Sequence, residues 1–217
     1  MNRITTRIAI QKDGRLRERS LEALKALGYE FVVSNDRTLK AFSLCGQAEL
    51  LLIRNRDIPL YVATGSAELG IVGENIVREN GYDLPVLAEL GFALCRLMIA
   101  VPADSLIDDV DMLEGKRIAT SYPVSLRKFL AWENVSAEII ELSGSVEIAP
   151  SVGLADAICD LVDSGRTLRE YGLKPLCTIY ESQAVLIASP LLNPADHPPG
   201  HYKRTAPTSS LIPALQT

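Results

Sequence analysis

The sequence predicts an α/β protein built from two lobes, on three observations. Short apolar runs alternate with helical patterns along the 217 residues, which is typical of βα units and of a mostly parallel sheet. Hydrophobic residues make up 47% and charged residues 23%, a balance typical of soluble globular proteins. A chain of this length can also bury a real core, as one large domain or as two small ones.

The first lobe is predicted over residues 1–95, with the chain returning to it at about 178–190. Its first strand, RIAIQ, is followed by leucines at helical spacing, and Gly28 ends that helix. Asp57 is a good N-cap, and Pro59 is tolerated in the first turn of the helix that Asp57 opens. The predicted elements are strands at 7–11, 31–33, 49–53 and 68–73, and helices at about 16–27, 57–63 and 74–80.

The second lobe is predicted over residues 96–177. Pro123 marks the start of a helix that carries leucines and a phenylalanine on one face. Residues 190–217 hold six prolines among polar residues, so the tail at 191–217 is predicted to be extended or disordered. Strands are predicted at 95–101, 116–120, 137–142 and 178–189.

Charge and the distribution of histidine exclude several functions. The net charge of −5 leaves no basic excess for non-specific binding to nucleic acid. No apolar stretch suits a signal peptide or a membrane span, so a cytoplasmic protein is expected. His197 and His201 lie in the tail, and the prolines between them forbid a metal-binding helix. Histidine-based hydrolysis and histidine-ligated metals are thereby excluded from the core.

The four cysteines are scattered and form no C-x-x-C pair. Each sits among apolar neighbours, which predicts buried free thiols in a reducing cytosol and no zinc site. They are Cys45, Cys95, Cys159 and Cys177.

The most informative segment is EIAPSVGLADAICDLVDSGRTL at 147–168. It places Asp160 and Asp163 ahead of a loop that contains Ser164, Gly165 and Thr167. Carboxylates accept hydrogen bonds from the cis hydroxyls of a sugar, and a small-residue loop donates to phosphate oxygens. The alternative is that Asp-Ser-Gly only marks the end of an amphipathic helix. The spacing alone favours the two interpretations equally.

This segment resembles the signature of the ATP phosphoribosyltransferase family, whose reaction opens histidine biosynthesis. The matching elements are Glu147, Gly153, Ala155, Ile158-Cys159-Asp160-Leu161 and Ser164-Gly165-Arg166-Thr167-Leu168. Four further blocks resemble the same family in the same order, at 7–16, 53–75, 95–102 and 116–123. Five ordered blocks, covering roughly residues 7–189, are far more specific than a single motif.

The resemblance implies a periplasmic-binding-protein type II fold with an active-site cleft between the lobes. It implies a glycosyltransferase reaction that joins N1 of the ATP adenine to C1 of phosphoribosyl pyrophosphate and releases pyrophosphate. The attacking nitrogen lone pair needs no deprotonation, so a core without histidine suits this chemistry, which depends on positioning and charge stabilisation. Mg²⁺ is expected to arrive on the substrate oxygens with one or two carboxylates, because no protein cage for a metal is visible.

For phosphoribosyl pyrophosphate, the resemblance assigns the ribose hydroxyls to Asp160, with Glu147 and Asp163 as supports. Ser151, Val152 and Gly153 are expected to precede a helix whose positive end suits anionic oxygens. The alternative for Gly153 is a tight turn without a ligand. The loop expected to hold the 5-phosphate consists of Ser164, Gly165, Arg166 and Thr167.

For ATP, the resemblance assigns phosphate contacts to the loop with Lys12, Gly14 and Arg15, although spacing alone favours solvated charges there. Arg54 lies three residues before Asp57, as the family's arginine does, and is expected to pair with polyphosphate or stack on adenine. Arg15 and Arg54 are the catalytic candidates. Arg56 has no counterpart and is interpreted as a surface residue.

Four further residues are candidates for the ATP or polyphosphate site. Glu74 follows a predicted strand and is expected to face the cleft, although a helix N-terminus explains it equally well. Thr120, Ser121 and Tyr122 lie between a strand and a helix, where hydroxyls and amides reach anions easily. Their alternative is ordinary N-capping.

The resemblance leaves two forms of the enzyme open. One is a short form that works with a regulatory subunit related to histidyl-tRNA synthetase. The other is a long-type catalytic core without its regulatory domain. A homodimer is expected in either case. The main alternative function is a non-enzymatic module of the same two-lobed fold that binds small anions or amino acids.

Overall fold

The computed structural model describes residues 6–33, 35 and 37–192, so the prediction for the tail lies almost wholly outside the described residues. In chain order, the elements are β1 (Thr6–Gln11), α1 (Arg15–Ala26), β2 (Lys40–Phe42), β3 (Ala48–Ile53), α2 (Ile58–Ala63), β4 (Leu69–Gly73), α3 (Glu74–Asn80), β5 (Val86–Glu89), β6 (Cys95–Pro102), β7 (Arg117–Thr120), α4 (Pro123–Glu133), β8 (Glu138–Glu141), β9 (Ala157–Val162), α5 (Arg166–Glu170), β10 (Leu173–Ser182) and β11 (Ala184–Ala188). These elements confirm the predicted α/β class.

The chain divides into two compact units. The first runs through Ala93 and resumes at Gln183, and the second comprises Leu94–Ser182. Residues 178–182, assigned above to the first lobe, pair with β6 and therefore belong to the second unit. None of the described helices combines the length and the hydropathy that a membrane span requires.

The first unit contains a six-stranded sheet in the order β2-β3-β1-β4-β11-β5. The central strands β3, β1 and β4 are parallel, whereas β2, β11 and β5 each run antiparallel to their neighbours. Alternate residues of these strands, such as Ile8, Leu50, Ile71 and Leu186, bury their side chains in one core. The sheet is therefore mixed, and the prediction of a mostly parallel sheet is wrong. Strand β2 forms a hairpin with β3, and β11 enters the sheet antiparallel to β4 and β5 when the chain returns to this unit.

Short edge strands account for the other differences in this unit. The strand predicted at 31–33 is wrong, since Phe31 makes only an isolated bridge to Ser43 and Val32 is exposed. Strands β2 and β5, of three and four residues, were not predicted because such short edge strands show little alternation of apolar and polar residues.

The predicted N-cap of α2 differs in its hydrogen bonding. Asp57 precedes α2, but its carboxylate makes no capping hydrogen bond because its backbone already lies in a 3-10 turn.

Close packing of α2 on β4 depends on Gly70. A Cβ atom there would lie 2.8 Å from Cγ2 of Val62 and 2.9 Å from Cγ2 of Ile58, both of which belong to α2. Only a hydrogen fits at this separation, so the helix rests directly on the strand. This contact fixes the start of α2 and the turn that joins it to β3.

The second unit contains a five-stranded mixed sheet in the order β10-β6-β9-β7-β8. Strands β9, β7 and β8 are parallel, and β6 and β10 are antiparallel to their neighbours. On one face, Ile158 and Val162 of β9 pack with Val146 and Leu168 in a second core. Because side chains alternate along a strand, Asp160 lies on this same face.

The cysteines differ from the prediction of four buried thiols. Cys159 is buried and Cys95 and Cys177 are half-buried, but Cys45 is exposed, so the prediction is wrong for Cys45. All four are free. Burial raises the pKa of the Cys95 thiol and raises that of Cys177 to about 11, which keeps both protonated at neutral pH.

Candidate functional site

Three predicted residues of the first unit meet at one edge of its sheet. Lys12 follows β1, Arg54 follows β3 and Glu74 follows β4, and the carboxyl ends of parallel strands lie at the same edge. The Lys12 amide donates to the carbonyl of Ile53 at 2.8 Å, so the two chain segments leave the sheet side by side. In open α/β sheets, ligands bind outside this edge.

The cations at this edge are available to a ligand. Arg54 is exposed and Lys12 is half-buried, and neither forms an ion pair with any described residue. Gly14 has a φ of 83°, a left-handed conformation that lets the chain turn from β1 into α1. Helix α1 begins at Arg15, whose side chain lies outside the described residues.

Glu74 is engaged within its own helix. Its carboxylate accepts from Nη2 of Arg78 at 2.7 Å, and its amide donates to the carbonyl of Gln183 at 2.9 Å. The pair has the i,i+4 spacing that stabilises helices. These contacts favour the helix N-terminus interpretation of Glu74 over a direct contact with ATP.

Thr120 and Ser121 hold the carboxyl edge of the second sheet together. The Thr120 hydroxyl donates to the carbonyl of Cys159 at 2.7 Å and accepts from the Tyr122 amide at 2.9 Å. The Ser121 hydroxyl donates to the carbonyl of Leu142 at 2.7 Å. Tyr122 occupies the N-cap position of α4 without a side-chain capping bond. Both hydroxyl protons are therefore committed to the protein and do not face an anion.

The loop after β9 presents donors. Ser164 and Thr167 are exposed, and no described residue shares a hydrogen bond with either hydroxyl. Gly165 has a φ of 72° and leads into α5, while Arg166 pairs with Glu170 at 2.7 Å on the surface. The hydroxyls of these exposed residues suit the oxygens of a phosphate.

Asp160 and Glu147 approach the same face of the second sheet. Asp160 is half-buried in β9, and its Oδ1 accepts from the amide of Leu161 at 2.8 Å. Glu147 is half-buried in the 3-10 turn Val146–Ile148. Its neighbour Val146 packs on that face of the sheet with Ile158 and Val162. Asp163 follows directly after β9 and is exposed. Asp160 and Asp163 thus belong to the strand and the loop that carry the donors at 164–167, and the turn of Glu147 packs on the same strand through Val146.

Gly153 lies at the opposite edge of that sheet. Its carbonyl accepts from Nη1 of Arg117 at 2.9 Å, at the amino end of β7, and Ser151 donates to the carbonyl of Ile148 at 2.8 Å. Strand β9 spans about 16 Å from Ala157 to Val162 at the usual rise per residue. The helix predicted after Gly153 is wrong, because these residues form a strand buried on both faces. The φ of 74° at Gly153 fits the tight turn, and its contact with a ligand stays a prediction.

The pair Arg117–Asp156 fixes this amino edge. Arg117 donates to Asp156 through its amide, Nε and Nη2 at 2.9, 3.2 and 2.9 Å. The hydrogen bond from the Arg117 guanidinium is the largest cause that lowers the pKa of the Asp156 carboxyl. The pair is therefore charged at neutral pH and stabilises the joined starts of β7 and β9.

We expect Asp156→Asn to lower stability at pH 7 by up to about 1 kcal/mol, because the pair is more than a third exposed and solvent screens it. A carboxyl whose folded pKa is depressed contributes stability that is complete above its unfolded pKa of about 3.9 and is lost as the pH falls through the folded value. Urea unfolding between pH 2 and 7 measures this. A difference between wild type and variant that persists at pH 2 would contradict the assignment.

Asn55 is a residue that the sequence gives no reason to select, since it is one polar residue in Arg-Asn-Arg-Asp. Its Oδ1 atom is buried, and no described residue donates a hydrogen bond to it. Burial of a single side-chain atom depends on packing around the turn after β3, which no local pattern encodes.

Two mixed sheets with polar loops at the carboxyl edges define an α/β protein of the periplasmic-binding-protein type. A periplasmic aliphatic sulphonate binding protein from Escherichia coli shares this fold, with a TM-score of 0.56 and 17% identity over 85% of this chain and 65% of its own. Two other known proteins are closer to this chain in sequence. An ATP phosphoribosyl transferase (HisG:HisZ) complex from Thermotoga maritima matches 86% of this chain and 88% of its own, with a TM-score of 0.74 and 28% identity.

The family model described as ATP phosphoribosyltransferase matches residues 54–200. An ATP phosphoribosyltransferase from Cytophaga hutchinsonii is 48% identical over 187 residues, which are 86% of this chain and 65% of that relative. The chain belongs to the ATP phosphoribosyltransferase family, as the ordered blocks predict. It spans about 65% of the length of the curated relatives it matches.

Proposed function

We propose that this chain transfers a phosphoribosyl group to N1 of ATP, with release of pyrophosphate, as the first step of histidine biosynthesis in the cytoplasm. The observation that carries this proposal is the grouping of Asp160 with the donor loop at 163–167 at the carboxyl edge of one sheet. The ribose hydroxyls donate to the carboxylate, and the 5-phosphate accepts from the loop. Membership of the family supports this reaction.

Catalysis by this chain rests on positioning and charge. The N1 lone pair attacks C1 of the ribose without a general base, so the residues have to orient two substrates and stabilise charge on the departing pyrophosphate. Lys12 and Arg54 are the cations that we assign to polyphosphate, because both lie at one carboxyl edge without ion pairs to described residues. The loop that carries Lys12 continues through Gly14 to Arg15, the first residue of α1.

Mg²⁺ enters this proposal as a substrate-borne ion. A hard divalent cation prefers oxygen ligands and keeps several from phosphates and water. Asp160 and Asp163 offer carboxylate oxygens beside the donor loop, so one or two protein ligands are available. When bound, the ion neutralises charge on pyrophosphate.

The test of the proposed function is an absorbance assay for phosphoribosyl-ATP with both substrates and Mg²⁺, run with and without a synthetase-like partner. Product formation that needs both substrates supports the proposal. Tight calorimetric binding of oxyanions or amino acids without any turnover would support the binding-module alternative and overturn the enzyme.

A homodimer belongs to the same proposal and is supported by an apolar patch around β2. Val32, Leu39, Phe42 and Leu44 are 65%, 58%, 65% and 68% exposed in one short stretch at the edge of the first sheet. Edge strands with exposed apolar side chains pair readily with another chain. A second copy buries both patches by the same contact, as a two-fold interface requires.

We expect Phe42→Asp to convert this dimer to a monomer, because a buried unpaired carboxylate is costly at an interface. Light scattering should give twice the chain mass for the wild type and the single mass for the variant. Leu106→Asp, at a side chain 87% exposed in the second unit, is the matched control and should leave the dimer intact. A wild-type monomer, or equal effects of both variants, would contradict this interface.

A regulatory subunit is the last component proposed. The Thermotoga maritima relative is an ATP phosphoribosyl transferase in a HisG:HisZ complex, and this chain covers 88% of that relative's chain. A short-form enzyme should gain activity and histidine inhibition when a synthetase-like partner binds. Co-purification with such a partner favours the short form, and failure to bind favours a long-type core.

A further inference from the structure

Asn55 carries a buried acceptor without a protein donor. Its Oδ1 atom is shielded from solvent, and no described residue donates to it, although the residue as a whole is only partly buried. Native proteins rarely leave a buried acceptor unpaired, because the lost hydrogen bond to water is not replaced. Because the residue itself is partly exposed, a rotation of its side-chain amide can bring this acceptor to a donor on a bound molecule, which would account for such an atom.

The backbone around Asn55 is held from both sides. In the 3-10 turn Asn55–Asp57, the Asp57 amide donates to the carbonyl of Arg54 at 2.9 Å. From α3, Nδ2 of Asn80 donates to the carbonyl of Arg56 at 3.0 Å. The turn is therefore fixed at the carboxyl end of β3, beside the two cations assigned to polyphosphate.

The polarity of Oδ1 restricts what it can bind. Phosphate oxygens only accept hydrogen bonds, so an amide oxygen gains nothing from them. The donors on ATP are its 6-amino group and its ribose hydroxyls. We propose that Oδ1 of Asn55 accepts a hydrogen bond from one of these donors and so selects and orients the nucleotide. This inference rests on the proposed function, because it assigns a partner within that same site.

The test compares four nucleotides by calorimetry in the presence of Mg²⁺. Inosine triphosphate lacks the 6-amino group, and 2′-deoxy-ATP and 3′-deoxy-ATP each lack one hydroxyl. The wild type should bind one of these about 10-fold more weakly than ATP, as expected for one lost hydrogen bond. Asn55→Ala should bind ATP as weakly as that analogue and no longer distinguish the two. Asn55→Asp keeps an acceptor and should keep the distinction.

Melting temperature separates this role from a structural one. Removing an unpaired buried acceptor should leave the melting temperature of Asn55→Ala unchanged or raise it by about 2 °C. Asn80→Ala is the matched control: it removes a described hydrogen bond to the same turn, so it should melt lower and keep the wild-type distinction among nucleotides.

The outcomes are separable. An Asn55→Ala variant that melts lower yet distinguishes all nucleotides like the wild type would overturn the inference, as would a wild type that binds ATP and every analogue equally. A wild-type chain that shows neither ATP binding nor turnover overturns the proposed function itself.

Discussion

Replacing Arg54 by alanine should lower kcat/KM for the forward reaction by about 100-fold, the size seen when one preorganised donor to a developing negative charge is removed. The expectation rests on the position of Arg54 at the carboxyl end of β3, exposed and without an ion pair to described residues. The guanidinium makes no packing contribution to a core, so the free energy of unfolding should change by less than about 0.5 kcal/mol. Steady-state kinetics and urea unfolding measure the two effects.

Arg56→Ala is the matched control for this prediction. Arg56 is an exposed arginine two positions away in the same 3-10 turn, and its backbone carbonyl, which Asn80 contacts, survives the substitution. We expect kcat/KM within about twofold of the wild type, since a surface charge has little local effect. Equal losses at the two arginines would show that the edge as a whole attracts the substrate and that Arg54 has no specific contact.

The sequence predicted the parallel centre of the first sheet well, for a physical reason. RIAIQ, ELLLI and ELGIVG are nearly continuous apolar runs, and such runs indicate strands buried on both faces. The candidates Lys12, Arg54 and Glu74 follow directly after such strands. Parallel topology alone therefore places them at carboxyl edges, without any knowledge of side-chain packing.

Local patterns failed where tertiary contacts decide. AICDLV was expected to continue a helix from Gly153, but its β-branched and apolar residues pair with β6 and β7 and form β9. Thr120 and Ser121 carry hydroxyls that suit an anion, yet distant carbonyls accept both protons. The sequence cannot register such long-range hydrogen bonds, and for the same reason it gave no sign of Asn55.

Asp160→Asn should lower turnover with phosphoribosyl pyrophosphate by more than 10-fold, which corresponds to about 1.4 kcal/mol or more. The substitution keeps the size of the side chain. It also keeps an oxygen that can accept the hydrogen bond that the Leu161 amide donates to Oδ1 of Asp160 at 2.8 Å. What it removes is the negative charge, and charge-assisted hydrogen bonds to hydroxyls are roughly twice as strong as neutral ones. Kinetics at varied concentrations of each substrate measure the effect, which should fall on phosphoribosyl pyrophosphate and leave the affinity for ATP unchanged.

Asp156→Asn is the matched control. Asp156 directly precedes β9 at its amino end, away from the donor loop. It should lower stability through its lost pair with Arg117 and leave both substrate affinities intact. The contrast between the two carboxylates tests the geometry directly. Asp160 lies near the carboxyl end of β9, whereas Asp156 pairs with Arg117 at the amino end of the same strand. Wild-type kinetics for Asp160→Asn, or an equal kinetic loss in both variants, would remove Asp160 from the ribose site and leave the donor loop at 163–167 to bind phosphate alone.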